Sequence, residues 1–150
     1  MSREEGHGRI VVGVDGSPSS IRALEWALDQ AELTGASVQA VYAWELPSTW
    51  GAKVPVYPGS EIAEETEVAE AKLAQAIGEA TTGRKQVEVS QRVARGHPAE
   101  VLIEAAKAAD LMVMGNRGHG GFTGALLGSV TQHCVHHAVC PVVVVRAAGE

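Results

Sequence analysis

Four residues near the carboxyl end are spaced as a backbone-lined ligand loop requires. Gly115 and Gly118 are separated by two residues, Gly128 follows after nine more, and Ser129 comes next, all directly behind the apolar run Asp110-Leu-Met-Val-Met114. Glycine has no Cβ, so its main chain can take positive φ and come within hydrogen-bond reach of phosphate oxygens, while Ser129 adds a hydroxyl and can open a helix. That chemistry suits a nucleoside triphosphate. A second candidate lies far away in sequence: Asp15 closes the run Arg9-Ile-Val-Val-Gly-Val-Asp15. A carboxylate at a strand end can accept from ribose hydroxyls or help position a hydrated Mg²⁺.

The elements that would bring these residues together follow from periodicity and punctuation. Arg9 to Asp15 is short, β-branched and nearly uninterrupted, as in a parallel strand covered on both faces. Ser17 stands as N-cap and Pro18 as first helical residue before a stripe of Ile21, Leu24, Leu28 and Ala31, which stops near Gly35. Ser37 to Trp44 makes strand two, and Pro and Gly punctuate the stretch from Glu45 to Gly59. Ser60 is placed to cap a long helix from Glu61 to Thr81. Val87 to Val93 alternates as a strand near a sheet edge. Gly96-His97-Pro98 opens a helix carrying Val101, Leu102, Ala105 and Ala109. Leu111 to Met114 is strand four, Ser129 to His137 a further helix, and Val142 to Val145 the last strand.

Alternation of this kind predicts an α/β fold: a single-domain, doubly wound five-stranded parallel sheet with helices on both faces, and the expected strand order is 3-2-1-4-5. The domain spans 9–147 behind a polar tail, 1–8. The order reverses between strands one and four, so Asp15 and the glycine loop are expected to share one crevice.

Composition sets the bounds. A chain of 150 residues can bury roughly two thirds of its unfolded surface without staples. A net charge of −6 and the lack of any Lys/Arg cluster argue against nucleic acid as a partner. The amino terminus has no apolar segment of a secretory signal, and the longest apolar stretch, within Ala138 to Val145, is too short to span a bilayer. No membrane association and a cytoplasmic location are expected. Cys134 and Cys140 read as small structural hydrophobes.

Other motifs are absent or ambiguous. No glycine precedes a lysine, so there is no P-loop, and no stretch completes GxGxxG. No GxSxG elbow presents a serine nucleophile. Arg117 and His119 lie inside the glycine loop, where each either reaches a phosphate or is only solvated. Ser129-Val-Thr-Gln132 has the form of a capping box, which accounts for the serine without any ligand. His133, His136 and His137 beside Cys134 share a helical face, but histidines suit a helix C-terminus, and no metal is expected.

The loop Gly115-Asn-Arg-Gly118 through Gly128-Ser-Val-Thr131 resembles the ATP-binding branch of the universal stress protein family, marked by G-x2-G-x9-G-(S/T). The likeness runs from about Arg9 to Arg146 and includes Gly96-His97-Pro98 and the closing Cys140-Pro141-Val-Val-Val-Val-Arg146. Asn116 stands where the family often has Ser, a departure of little weight if main chain is the donor. The resemblance implies that Gly115, Gly118, Gly128 and Ser129 hold ribose and triphosphate and that Val130 adds an amide. It implies that Gly13, Val14 and Asp15 line adenine and ribose, and that Ala43 meets the base through its backbone. It also implies ATP as ligand, with Mg²⁺, and a homodimer through Val142 to Val145. The expectation is a nucleotide-dependent regulatory protein with at most slow hydrolysis, since no lysine and no placed general base serve the phosphates. The alternatives are an ATP-using adenylyl or phosphoryl transferase with the 45–59 loop as lid, or an interaction module without nucleotide.

Overall fold

The structure, a computed structural model, describes residues 8–45, 59–84, 86–116 and 127–147. Its elements are β1 (Arg9–Gly13), α1 (Pro18–Thr34), β2 (Ser37–Trp44), α2 (Gly59–Thr81), β3 (Val89–Arg95), α3 (Pro98–Ala106), β4 (Leu111–Gly115), α4 (Ser129–His137) and β5 (Val142–Val145). The strands form one five-stranded parallel sheet in the order β3-β2-β1-β4-β5. Fold class and strand order match the expectation.

The period-two alternation of the central strands builds two cores. Ile10, Val12 and Val14 pack with Ala23, Leu24, Ala27 and Leu28 of α1 and Leu73 of α2. Val11, between them in sequence, faces the other way with Ala99, Leu102 and Ala105 of α3 and Cys134 of α4. The same rule splits β4, with Val113 in the first core and Met112 and Met114 in the second. Each face of the sheet is thus closed by two helices, which is why these strands read as continuous apolar runs.

Local signals position α1 as expected. Ser17 has extended backbone and its hydroxyl accepts from the Ser20 N–H at 3.3 Å, while Gly35 ends the helix in the left-handed region at φ 80°. Other boundaries differ. The first strand stops at Gly13, because Asp15 is drawn into a turn, although Val14 still donates to the Val41 carbonyl at 2.9 Å. Helix α2 starts at Gly59, so Ser60 lies inside its first turn and is not its cap. The third strand covers Val89–Arg95, two residues later than expected, because its register is set by β2, with Val38 opposite Val89 and Trp44 opposite Arg95. Ala109 lies beyond α3: Lys107, Ala108 and Ala109 donate three residues back, which tightens the chain into a turn. Among the described residues no helix is long and apolar enough to cross a membrane.

Candidate functional site

The carboxyl ends of β1 and β4 lie side by side where the strand order reverses, since β1 pairs with β2 on one side and β4 on the other. Beyond β1 the chain turns through Asp15-Gly16-Ser17. The Asp15 carboxylate accepts from the Ser17 N–H at 2.9 Å, and the Asp15 N–H donates to the Ser20 hydroxyl at 3.2 Å. Gly16 takes φ +88°, which a side chain would oppose. Asp15 is half-buried and fixed by this turn, at the amino end of α1.

Gly115 ends β4 against that same helix. A Cβ built on it runs into Ser19 Oγ and lies 2.7 Å from the Ser19 carbonyl carbon, so glycine is required here by helix-strand contact. This differs from the expectation that the motif's glycines serve positive φ. Gly115 lies within a strand, and Gly128 takes φ −67°, ψ 161°, ordinary extended backbone at the N-cap of α4.

The two ends of the intervening loop are joined. The Asn116 carbonyl accepts from the Gly128 N–H at 2.8 Å, and the Thr131 hydroxyl donates to the Gly115 carbonyl at 2.8 Å. The Asn116 N–H in turn donates to the Val145 carbonyl at 3.0 Å. These bonds form a closed neck that sets the start of α4 at the end of β4. Ser129 is the first helical residue and exposed, and Gly128 supplies no side-chain cap, so the capping box read from Ser129 to Gln132 does not form. The first-turn N–H groups of α4 therefore have no capping side chain, an arrangement that attracts anions.

Several expected residues meet here: Asp15 at the end of β1, and Gly115, Gly128, Ser129 and Val130 around the neck. Gly13 lies inside β1, where a Cβ would come 2.9 Å from Leu102 Cδ1, and Val14 is buried in the α1 face of the core with its N–H already used. Ala43 is half-buried in β2 opposite Ala94 of β3, across β1 from the neck. Arg117, Gly118 and His119 lie outside the described residues. Thr131 and Asn116 were missed as site residues. Thr131 belongs to the Gly-Ser-Val-Thr run, but nothing in its type announces a bond sixteen residues back. Asn116 is 1% exposed, and its Oδ1 is buried without a partner, so the departure from Ser at this position carries more weight than the sequence suggested.

On α4, the rings of His133 and His137 lie with centroids 4.6 Å apart. No group of three or more His, Cys, Asp or Glu side chains able to hold a metal is found among the described residues. Burial pushes the Cys134 thiol up to about 11. Burial also raises Cys140, helped by the Asp110 charge and opposed by a backbone hydrogen bond. At pH 8 an aromatic disulfide reagent is expected to modify Cys140 slowly and Cys134 only after unfolding, as the thiolate is the reactive form. The fold favours the Cys134 thiol, so that stabilisation is complete below the ordinary value of 9.0 and lost as pH rises from there toward about 11. Modification of both thiols at equal rates in the native protein would contradict this.

An open parallel α/β sheet whose strand order reverses between two neighbouring strands defines the doubly wound class of α/β proteins. The sequence profile of the universal stress protein family matches residues 6–146, and the chain belongs to that family. A universal stress protein of Mycolicibacterium smegmatis is 40% identical over 141 residues, covering 91% of this chain and 45% of its own length. The chain spans about half the length of the curated relatives it matches. Among solved structures, universal stress protein UspA from Lactobacillus plantarum superposes with a TM-score of 0.77 at 25% identity, covering 93% of this chain and 98% of that one. A universal stress protein solved in complex with cAMP superposes with a TM-score of 0.68 at 29% identity, covering 93% and 97%.

Proposed function

We propose that this protein binds an adenine nucleotide, ATP with Mg²⁺, at the crevice between the ends of β1 and β4, and that occupancy regulates its conformation or assembly. The observation that carries the reading is the neck: Asn116 to Gly128 and Thr131 to Gly115 bring an uncapped helix start to the strand-order reversal, beside Asp15. The helix start supplies donors for phosphate. Asp15 brings a carboxylate to the end of β1, the chemistry that sugar hydroxyls or water on the cation would meet there. The complex of a 29% identical relative with cAMP supports an adenine nucleotide in a site of this fold. No catalytic residue is assigned, and hydrolysis is expected to be slow.

Calorimetric titration of the wild type and Gly118→Val with ATP and Mg²⁺ tests this reading. The wild type binds, and the variant loses at least about tenfold in affinity, near 1.4 kcal/mol, because a branched side chain replaces a motif glycine whose bare backbone is expected to serve phosphate. Equal binding by both overturns the site assignment.

The same proposal extends to assembly. The edge strand β5, Val142–Val145, is half-buried along its length, and Val139 just before it is 71% exposed. An unpaired apolar edge is suited to pairing with a second copy. Sedimentation across a range of concentrations should show a dimer, and a monomer throughout removes this part of the reading.

A further inference from the structure

Asn116 presents a problem that the fold does not solve. Its backbone is fully committed, with the N–H to Val145 and the carbonyl to Gly128. Its side chain is 1% exposed, and Oδ1 has no hydrogen-bond partner. A buried acceptor left unpaired opposes folding, and an apolar side chain of similar shape avoids the penalty. Positions that break such a rule are where function competes with stability. This one lies immediately after Gly115, at the neck beside the crevice.

We propose that Asn116 Oδ1 is a specificity-determining acceptor for a sugar hydroxyl of the bound nucleotide, so that the site selects ribonucleotides over deoxynucleotides. The inference rests on the nucleotide reading above. At neutral pH phosphates only accept, so the donors of an adenine nucleotide are its exocyclic amine and its sugar hydroxyls. If the base lies toward Ala43 in β2, it is two strands from β4, about 10 Å at ordinary strand spacing. With the phosphates at the start of α4, the sugar, between base and phosphates, is the donor-bearing part that comes nearest to the end of β4. An asparagine turns about two side-chain torsions, which lets the carboxamide meet a hydroxyl at the crevice. A site built to hydrogen-bond a hydroxyl rejects the analogue lacking it, because its own buried group is then left unpaired.

The test compares the wild type with Asn116→Leu, which keeps the branching and the number of side-chain heavy atoms and removes the acceptor. Titration with ATP, 2′-deoxy-ATP and 3′-deoxy-ATP is expected to show wild-type affinity falling about tenfold for one deoxy analogue, the equivalent of one neutral hydrogen bond. The variant binds ATP about tenfold more weakly and does not distinguish that analogue, so the two losses are not additive. Without ligand, Asn116→Leu melts at or above the wild-type temperature. On the wild type alone, the Asn116 side-chain carbonyl carbon resonance moves downfield as ATP is added and stays in place with the rejected analogue.

Three outcomes overturn the proposal while leaving the nucleotide site standing. They are equal ribose and deoxyribose binding by the wild type, undiminished ATP binding by Asn116→Leu, and a ligand-free variant that melts lower, which marks a structural amide paired by water or a neighbour. Absence of ATP binding by the wild type overturns the nucleotide reading and this inference with it.

Discussion

Gly115→Ala is expected to destabilise the ligand-free protein by about 3 kcal/mol, lowering its melting temperature by about 10 °C. The added Cβ meets Ser19 at Oγ, Cβ and the carbonyl carbon, all within 3 Å. A side chain can rotate away, but a helix carbonyl carbon cannot without moving α1, which is packed through Ala23, Leu24, Ala27 and Leu28 into the sheet. Interiors packed at crystal density have no room for that shift. Adding Ser19→Gly removes the Oγ and Cβ contacts and leaves the carbonyl carbon at 2.7 Å, so it restores only part of the loss. Thermal denaturation of both variants checks this. If Gly115→Ala melts within about 2 °C of the wild type, the packing account of this glycine fails, and ligand approach becomes its sole explanation.

Leu73→Ala is the other large effect, expected at about 2 to 5 kcal/mol. Helix α2 runs over Gly59–Thr81, yet among its described side chains Ala69 and Leu73 are the buried apolar ones, with Ala76, Ile77 and Ala80 partly buried beside them. Leu73, at 0% exposure, is thus the main anchor of a long helix. Arg84 adds a second attachment. It donates to the Ala80 carbonyl at 2.8 Å and pairs with Asp29 of α1, but an ion pair whose carboxylate is largely exposed contributes little. Removing the leucine leaves a cavity and weakens the hold of α2 on the sheet. Amide hydrogen exchange should therefore accelerate in α2 before the central strands respond. A loss below about 1 kcal/mol, or exchange rising equally everywhere, contradicts this picture.

The architecture was readable because its determinants are local and repeated. Alternating apolar runs and helical stripes revealed the elements and the parallel sheet, while the order 3-2-1-4-5 is one of several that such alternation permits. Ser17, Pro18 and Gly35 marked the ends of α1 because capping is a short-range interaction. What escaped the reading depends on partners distant in sequence. The bounds of β3 follow from its register with β2, and the turn at Asp15 ends β1 early. In the candidate site, the spacing of Gly115, Gly128 and Ser129 pointed to the junction of β4 and α4 but not to the structural reason for each residue. Gly115 is glycine because Ser19 is close, a contact between residues 96 apart. Asn116 looked like a minor substitution, since a buried acceptor without a partner has no signature in sequence.

The pinned neck has a consequence for how this protein can change over time. Eleven residues separate Asn116 from Gly128, and their ends are already held by bonds that belong to the scaffold. Closing such a span costs only about 0.6 kcal/mol more for each doubling of its length. The intervening stretch is thus an exchangeable cassette. Descendants can rewrite it in length and charge, and so drift toward other ligands, while the sheet beneath keeps folding as before.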